Sequence, residues 1–250
     1  PESGQEAEQV QSIAQTLGVR HHIAKWTGWT GQGNLQDTAR LARRQLIEDW
    51  AIANGIDTVL TGHTLDDQAE TVLMRLARGS GVDGLAGMAE VEQHGVRWMR
   101  PLLGWSREAL RDYLQENSIN WIDDPSNDDL SYDRIKARQM LTQMPRPDLL
   151  RQRLADTGRH MRAAKAVLDQ AMLDLAEAAV TQEHGDLLID RALFNAAADE
   201  TRTRLLARAL MWVSASAYRP RFAALCAVAD AGQGTLHGCQ VINSPKSLRV

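Results

Sequence analysis

Apolar positions along the chain alternate between two periods, and the elements follow from them. Over "EAEQVQSIAQTLGV" they recur at Val10, Ile13, Ala14 and Leu17, one face of a helix that stops at Gly18. "RHHIAKW" reads as a short strand and "TGWTGQGN" as a glycine-rich loop. "LQDTARLARRQLIEDWAIANG" is a long helix with Leu41, Leu46, Ile47 and Trp50 near one face. "IDTVLTGH" is a strand ending in a glycine turn, and "DDQAETVLMRLARGSG" is the next helix, closed by Gly79. "GVRWMRPLLG" is a further strand, and "SREALRDYLQENSI" is a helix with Ser106 as N-cap. The polar "NWIDDPSNDDLSYDRIKARQML" is a loop feeding another helix, with Asp123, Asp124, Ser126 and Asn127 as turn formers. Helices alternating with strands imply an α/β fold, a parallel sheet with crossover helices.

The pattern changes at the proline-containing "QMPRPDLL", which reads as a linker near residue 145 and divides the chain into domains 1–145 and 146–250. Beyond it run Ala-, Leu- and Arg-rich helices, broken by one short strand in "HGDLLIDRALF" and ended by a strand-like tail, "GTLHGCQVINSPKSLRV". The expectation is a smaller, mainly helical second domain. Charge separates along the same line. Residues 1–145 hold 14 Lys and Arg against 21 Asp and Glu, a balance of −7, and residues 146–250 hold 14 against 11, a balance of +3. The basic surplus includes Arg151, Arg159 and Arg162, which a helix can turn outward toward a polyanion.

Composition narrows the class. With 44% hydrophobic and 24% charged residues over 250, the chain is an ordinary globular one with ample core. It shows no signal peptide and no apolar run that would span a bilayer, so a cytoplasmic location is expected. Two cysteines, Cys226 and Cys239, are too few for a disulfide scaffold.

Candidate chemistry concentrates in "TGHTLDDQAETVLMRLARGSG", residues 61–81. Thr64 and Asp66 are good N-caps, and early acids favour the positive end of a helix. The same His63, Asp66, Asp67 and Glu70 also make a conceivable metal site, because carboxylates with an imidazole suit Mg²⁺, Mn²⁺ or zinc. A third reading is work on a phosphate-bearing substrate, since open α/β sheets bind ligands where strands end. A helix needs one cap, not three acids and a histidine behind a glycine turn.

The stretch "GHTLDDQAETVLMRLARGSGVDGLAGM" resembles the signature of tRNA(Ile)-lysidine synthetases, N-type ATP pyrophosphatases of the PP-loop superfamily. "NLQDTARLARRQL" (34–46), "RPLLGWSREALRDYL" (100–114) and "WIDDPSNDDLSYDRIKAR" (121–138) resemble further segments of that family, in the same order and at similar spacing. The resemblance implies a Rossmann-like adenine nucleotide alpha-hydrolase fold. It also implies a reaction in which ATP adenylates the C2 oxygen of the wobble cytidine in a CAU-anticodon isoleucine tRNA, releasing pyrophosphate. Free L-lysine then displaces AMP to give lysidine. Pyrophosphate and AMP both leave as anions, so cations and Mg²⁺ are expected. The lysine amine must lose a proton to a nearby base.

Carried onto this chain, the resemblance makes Asp66 and Asp67 candidates for Mg²⁺ binding and proton acceptance, with His63 and Glu70 orienting the turn or touching substrate. Arg40, Arg43, Arg75, Arg100, Arg134 and Arg138 become candidate contacts to phosphate or substrate. Arg151, Arg159 and Arg162 become candidate contacts to the tRNA backbone.

This chain departs from the family pattern in places. Arg44 stands where an aromatic often follows the second arginine, and Ile135 where asparagine commonly follows Arg134. The phosphate-cradling SGGxDS loop occurs nowhere in the 250 residues, and the expectation is that a segment preceding Pro1 carries it. Three other readings compete. A sulfur-inserting tRNA thiolase would need clustered cysteines, and Cys226 and Cys239 lie thirteen apart. A metal-dependent hydrolase and a non-catalytic tRNA-binding protein complete the set.

Overall fold

The computed structural model describes residues 2–27, 29, 35–121, 132–216 and 218–250. The predicted turn formers Asp123, Asp124, Ser126 and Asn127, and most of the glycine-rich loop, lie outside the described residues. The chain forms two compact units, Pro1–Arg159 and His160–Val250. That division falls inside a helix, not at the proline segment near 145, which is a short turn between two helices.

The first unit opens with α1 (Glu2–Thr16) and α2 (Leu35–Ala53), closed by Gly18 and Gly55 in left-handed conformations, φ 67° and 66°. There follow β1 (Thr58–Leu60), α3 (Leu65–Ala77), the single turn α4 (Val82–Leu85), β2 (Val91–His94), β3 (Val96–Met99), α5 (Arg107–Glu116) and α6 (Asp133–Gln143). Helix α7 (Pro147–Ala179) begins in this unit and ends in the next. The sheet order is β1-β3-β2, with β1 parallel to β3 and β2 antiparallel to it. The parallel expectation therefore holds for β1 and β3, while a hairpin turning at Gly95 adds an edge strand that the sequence did not announce.

No strand forms at "RHHIAKW": residues 19–27 are neither helix nor strand. A strand exists through its pairing, and here the His22 ring instead stacks on Trp50 of α2, centroids 5.3 Å apart. Trp50 and Leu41 lie on the surface of α2, and the buried side of the helix is Ala51 with Ile47. These two pack with Ile56, Val59, Val96 and Trp98 across the sheet. Trp98 is fixed further by Nε1 donating to Glu48 at 2.7 Å and by the Arg44 guanidinium 5.0 Å above its ring.

Helix α3 buries Leu65, Gln68, Ala69 and Val72, the i, i+3, i+4, i+7 stripe of a packed helix. It lies against α6, which buries Ile135, Ala137 and Leu141. Gln68 locks the following loop, accepting from Met88 N at 2.7 Å and donating to Met88 O at 3.0 Å. A Cβ on Gly87 would stand 2.6 Å from the Gln68 amide oxygen at φ 68°, so this position requires glycine.

The second unit is mainly helical, as expected, and also carries a five-stranded sheet. Besides the end of α7 and the helices α8 (Arg191–Ala196), α9 (Asp199–Val213) and α10 (Phe222–Ala231), it contains β4 (Val180–Glu183), β5 (Asp186–Asp190), β6 (Gly234–Leu236), β7 (Cys239–Asn243) and β8 (Ser247–Arg249). These strands pair antiparallel in the order β4-β5-β8-β7-β6. Two of the hairpins close on His-Gly pairs, His184-Gly185 and His237-Gly238, all four residues at positive φ as a two-residue I′ turn requires. Phe194, Ile189, Leu206, Leu210 and Leu225 are fully buried at the centre of this unit. No helix among the described residues is long and apolar enough to cross a membrane.

Candidate active site

Strand β1 ends at Leu60, and the chain turns through Thr61, Gly62 and His63 into α3. Thr64 is the N-cap: its Oγ1 accepts from Asp67 N at 3.4 Å. Asp67 Oδ2 in turn accepts from Thr64 N and Thr64 Oγ1, both at 2.8 Å. That reciprocal pair is a capping box with aspartate as its acid. The capping reading is thus correct for one oxygen of Asp67.

Asp67 Oδ1 accepts from the Arg107 guanidinium at 2.5 Å. Asp66 Oδ2 accepts from the Arg107 backbone N at 2.8 Å, so it satisfies the first amide of α5, a second helix. Its Oδ1 faces Arg151 Nε at 3.3 Å. Leu65 N donates to Trp105 O at 2.9 Å and completes the stitching of the two helix starts. One turn further along α3, Glu70 is 1% exposed and meets three arginines: Arg138 Nε at 2.8 Å, Arg134 Nε at 3.2 Å and Arg107 at 3.4 Å. The Arg134 approach lacks hydrogen-bond geometry, so Glu70 Oε2 is left without a hydrogen bond among the described residues.

Four guanidinium groups therefore face Asp66, Asp67 and Glu70 where a strand ends, and Asp148 on Arg151 is a fourth carboxylate that balances them. Burial pushes the Asp67 carboxyl up, but Arg107 and the Thr64 hydrogen bonds more than reverse this, holding it below the usual carboxylate range. His63 Nδ1 pairs with Thr61 Oγ1 at 2.9 Å. Burial holds its imidazole below the ordinary value of 6.5, with Asp67 opposing and Arg100, Arg134 and Arg40 reinforcing the effect. His63 is accordingly neutral at pH 7, able to accept a proton. Because its folded pKa is depressed, the unfolded chain binds the proton more readily. Stability is then full above 6.5 and declines as pH falls below it. His63→Gln should flatten that decline in urea titrations run on either side of 6.5; an unchanged slope would place the histidine in solvent.

The acids do not make a metal cage. Every oxygen of Asp66 and Asp67 already faces a protein donor, and no group of three His, Cys, Asp or Glu side chains converges among the described residues. Mg²⁺ binds through carboxylates whose oxygens are open to it, and here those oxygens are taken by Arg107, Arg151 and Thr64. A Mg²⁺ ion on Asp66 and Asp67 would require those donors to move aside.

The remaining predicted residues divide sharply. Arg134 and Arg138 reach the centre through Glu70. Arg75 and Arg100 serve the fold: Arg75 donates to the carbonyls of Gly84 and Gly87 at 2.8 and 3.1 Å, and Arg100 to Ala89 O at 2.6 Å beside Glu92 at 3.1 Å. Arg40 and Arg43 are exposed on α2 and make no ion pair among the described residues, although the charge of Arg40 is felt at His63. Arg151, expected to face outward, instead turns inward to Asp66, Asp148 and Thr142. Arg159 stays on the surface, paired with Asp156 at 3.1 Å, and Arg162 is half-buried. Arg107 was missed. Its signal was available: an arginine at the first position of a helix opposes the helix dipole, a local conflict that points to use elsewhere.

Residues 1–144 match the family model of the PP-loop domain. The chain is 44% identical over 99% of its length to the tRNA(Ile)-lysidine synthase of Ruegeria pomeroyi, covering 60% of that protein. It is 36% identical over 96% of its length to the protein of that name from Wolbachia pipientis, covering 58% of it, and 33% identical over 98% to that of Anaplasma marginale, covering 54%. The chain thus spans somewhat over half the length of the curated relatives it matches. With an α/β unit whose acids and arginines gather at a strand end, and a family match across 1–144, the chain belongs to the PP-loop family.

Proposed function

We propose that this protein uses ATP to join free L-lysine to C2 of the wobble cytidine in a CAU-anticodon tRNA(Ile), through an adenylated cytidine, giving lysidine. The observation that carries the proposal is similarity over nearly the whole chain to proteins named for that activity, at 44% identity in the R. pomeroyi case. The site's chemistry agrees with it. Arg107, Arg134 and Arg138 are spread around one buried carboxylate, and such a cluster suits the charge that gathers on departing pyrophosphate and AMP. Mg²⁺, if it accompanies the nucleotide, would be held by phosphate oxygens rather than by Asp66 and Asp67.

The proton from the attacking lysine amine needs an acceptor that is unprotonated at pH 7 and basic enough to take it. His63 is the candidate, since burial holds it below 6.5 and so unprotonated at pH 7. Asp67 is ionised, but its depressed pKa makes it a weak base, so its part is to orient Arg107. Arg159 and Arg162 remain candidate contacts to the tRNA backbone, and Arg40 and Arg43 are candidate contacts to phosphate. A cytoplasmic location follows from the substrate.

In an assay with labelled ATP, pyrophosphate release should require the CAU-anticodon tRNA, and AMP release should require lysine as well. Pyrophosphate release indifferent to tRNA would refute the reading. The thiolase alternative predicts sulfur uptake into the tRNA and none of lysine.

A further inference from the structure

We propose that the corner joining α9 to α10 is an RNA contact that stacks unpaired bases on aromatic rings. The proposal rests on the reading of the substrate as a tRNA and goes beyond it in naming a surface and its mode of binding.

Residues 201–229 contain no Asp or Glu, although the chain carries 32 in 250, and they contain Arg202, Arg204, Arg208, Arg219 and Arg221. Two of these are neutralised by the fold. Arg202 pairs with Asp199 and Asp230, and the buried Arg204 pairs with Asp169 and Glu200. Arg208 and Arg221 are exposed and make no ion pair among the described residues, and Arg219 is exposed beside them in sequence. The corner is therefore positive.

It is also aromatic. Helix α9 is buried at 203–207, 209 and 210, so Arg208 and Trp212, one turn apart, share its exposed side. Trp212 is 53% exposed, Tyr218 73% and Phe222 64%. Buried Pro220 anchors the connection between the last two. Three large rings, each more than half exposed, thus fall within eleven residues at this corner. Backbone grip on a duplex needs cations and no rings. Rings with interleaved guanidinium groups are the chemistry of single-stranded recognition, where bases stack on aromatic faces and arginine meets phosphate. An unpaired loop of the tRNA is the occupant that uses both.

The test uses the full 250-residue chain and two RNA probes, a stem–loop carrying the CAU loop and a blunt duplex of the same stem, read by fluorescence anisotropy. Trp212→Ala, Tyr218→Ala and Phe222→Ala should each weaken stem–loop binding about fivefold or more while duplex binding changes little. Trp212→Phe keeps a stacking face and should recover most of the affinity, which separates stacking from misfolding. Unchanged stem–loop affinity in all three alanine variants, or equal losses on both probes, would overturn the inference while leaving the lysidine reading intact. Lost binding to anionic phospholipid vesicles with RNA affinity untouched would assign the corner to a membrane surface and overturn it too. A wild-type chain that binds neither RNA would remove the tRNA reading and this inference together.

Discussion

Glu70→Gln is expected to lower stability by about 3 kcal/mol, the lower end of what removing one member of a buried ion pair costs. Glutamine matches the shape of glutamate, so no cavity forms, and the change isolates charge. Glu70 is 1% exposed, and three guanidinium groups lie within 3.4 Å of its oxygens. Without the carboxylate those arginines, brought in from α5 and α6, repel one another around a neutral amide. Their side chains are 26–40% exposed, so water screens part of the repulsion, which is why the lower end applies. Urea denaturation at pH 7 measures the loss. A change under about 1 kcal/mol would mean that solvent rather than Glu70 holds the arginines in place.

Asp67→Asn is expected to reduce turnover by a factor on the order of 10² while costing only about 1 kcal/mol of stability. An asparagine oxygen can still accept from Thr64, so the cap largely survives. What it cannot do is take Arg107 at the same time with a full negative charge, and the 2.5 Å contact that aims this guanidinium is lost. Single-turnover release of AMP and the thermal midpoint, measured on one preparation, separate the two effects. Normal turnover with a lowered midpoint would return Asp67 to a purely capping role.

The sequence disclosed elements where local chemistry decides and missed them where distant residues decide. Helix α3, its Thr64 cap and its end at Gly79, and helix α5 with Ser106 accepting from Ala109 N as its cap, follow from side chains within four residues of one another. The strand expected at "RHHIAKW" failed because strand formation depends on a neighbour's backbone, which no local pattern encodes. In the second unit the sequence marked a strand in "HGDLLIDRALF" and a strand-like tail, but not β4 or the pairing of all five strands into one sheet, for a different reason. Its strands are three to five residues long, too short for periodicity, and two of its hairpins turn on His-Gly where Asn-Gly would have been conspicuous.

The candidate site divides the same way. Asp66, Asp67, His63 and Glu70 were legible because they share one turn and the start of one helix. Their partners were not, because Arg107, Arg134, Arg138 and Arg151 come from three other helices. Charge alone could not tell Arg151, which turns inward to Asp66, from Arg159, which stays on the surface with Asp156. Helical spacing fixed the face on which each lies but not what lies opposite.

The central claim concerns one nucleotide. Mass spectrometry of isoleucine tRNA from cells depleted of this protein measures it directly, with position 34 of the CAU anticodon as the readout. The account predicts that lysidine disappears and unmodified cytidine takes its place, and that the wild-type gene restores lysidine while its His63→Ala variant does not. Lysidine at an undiminished level after depletion would contradict it.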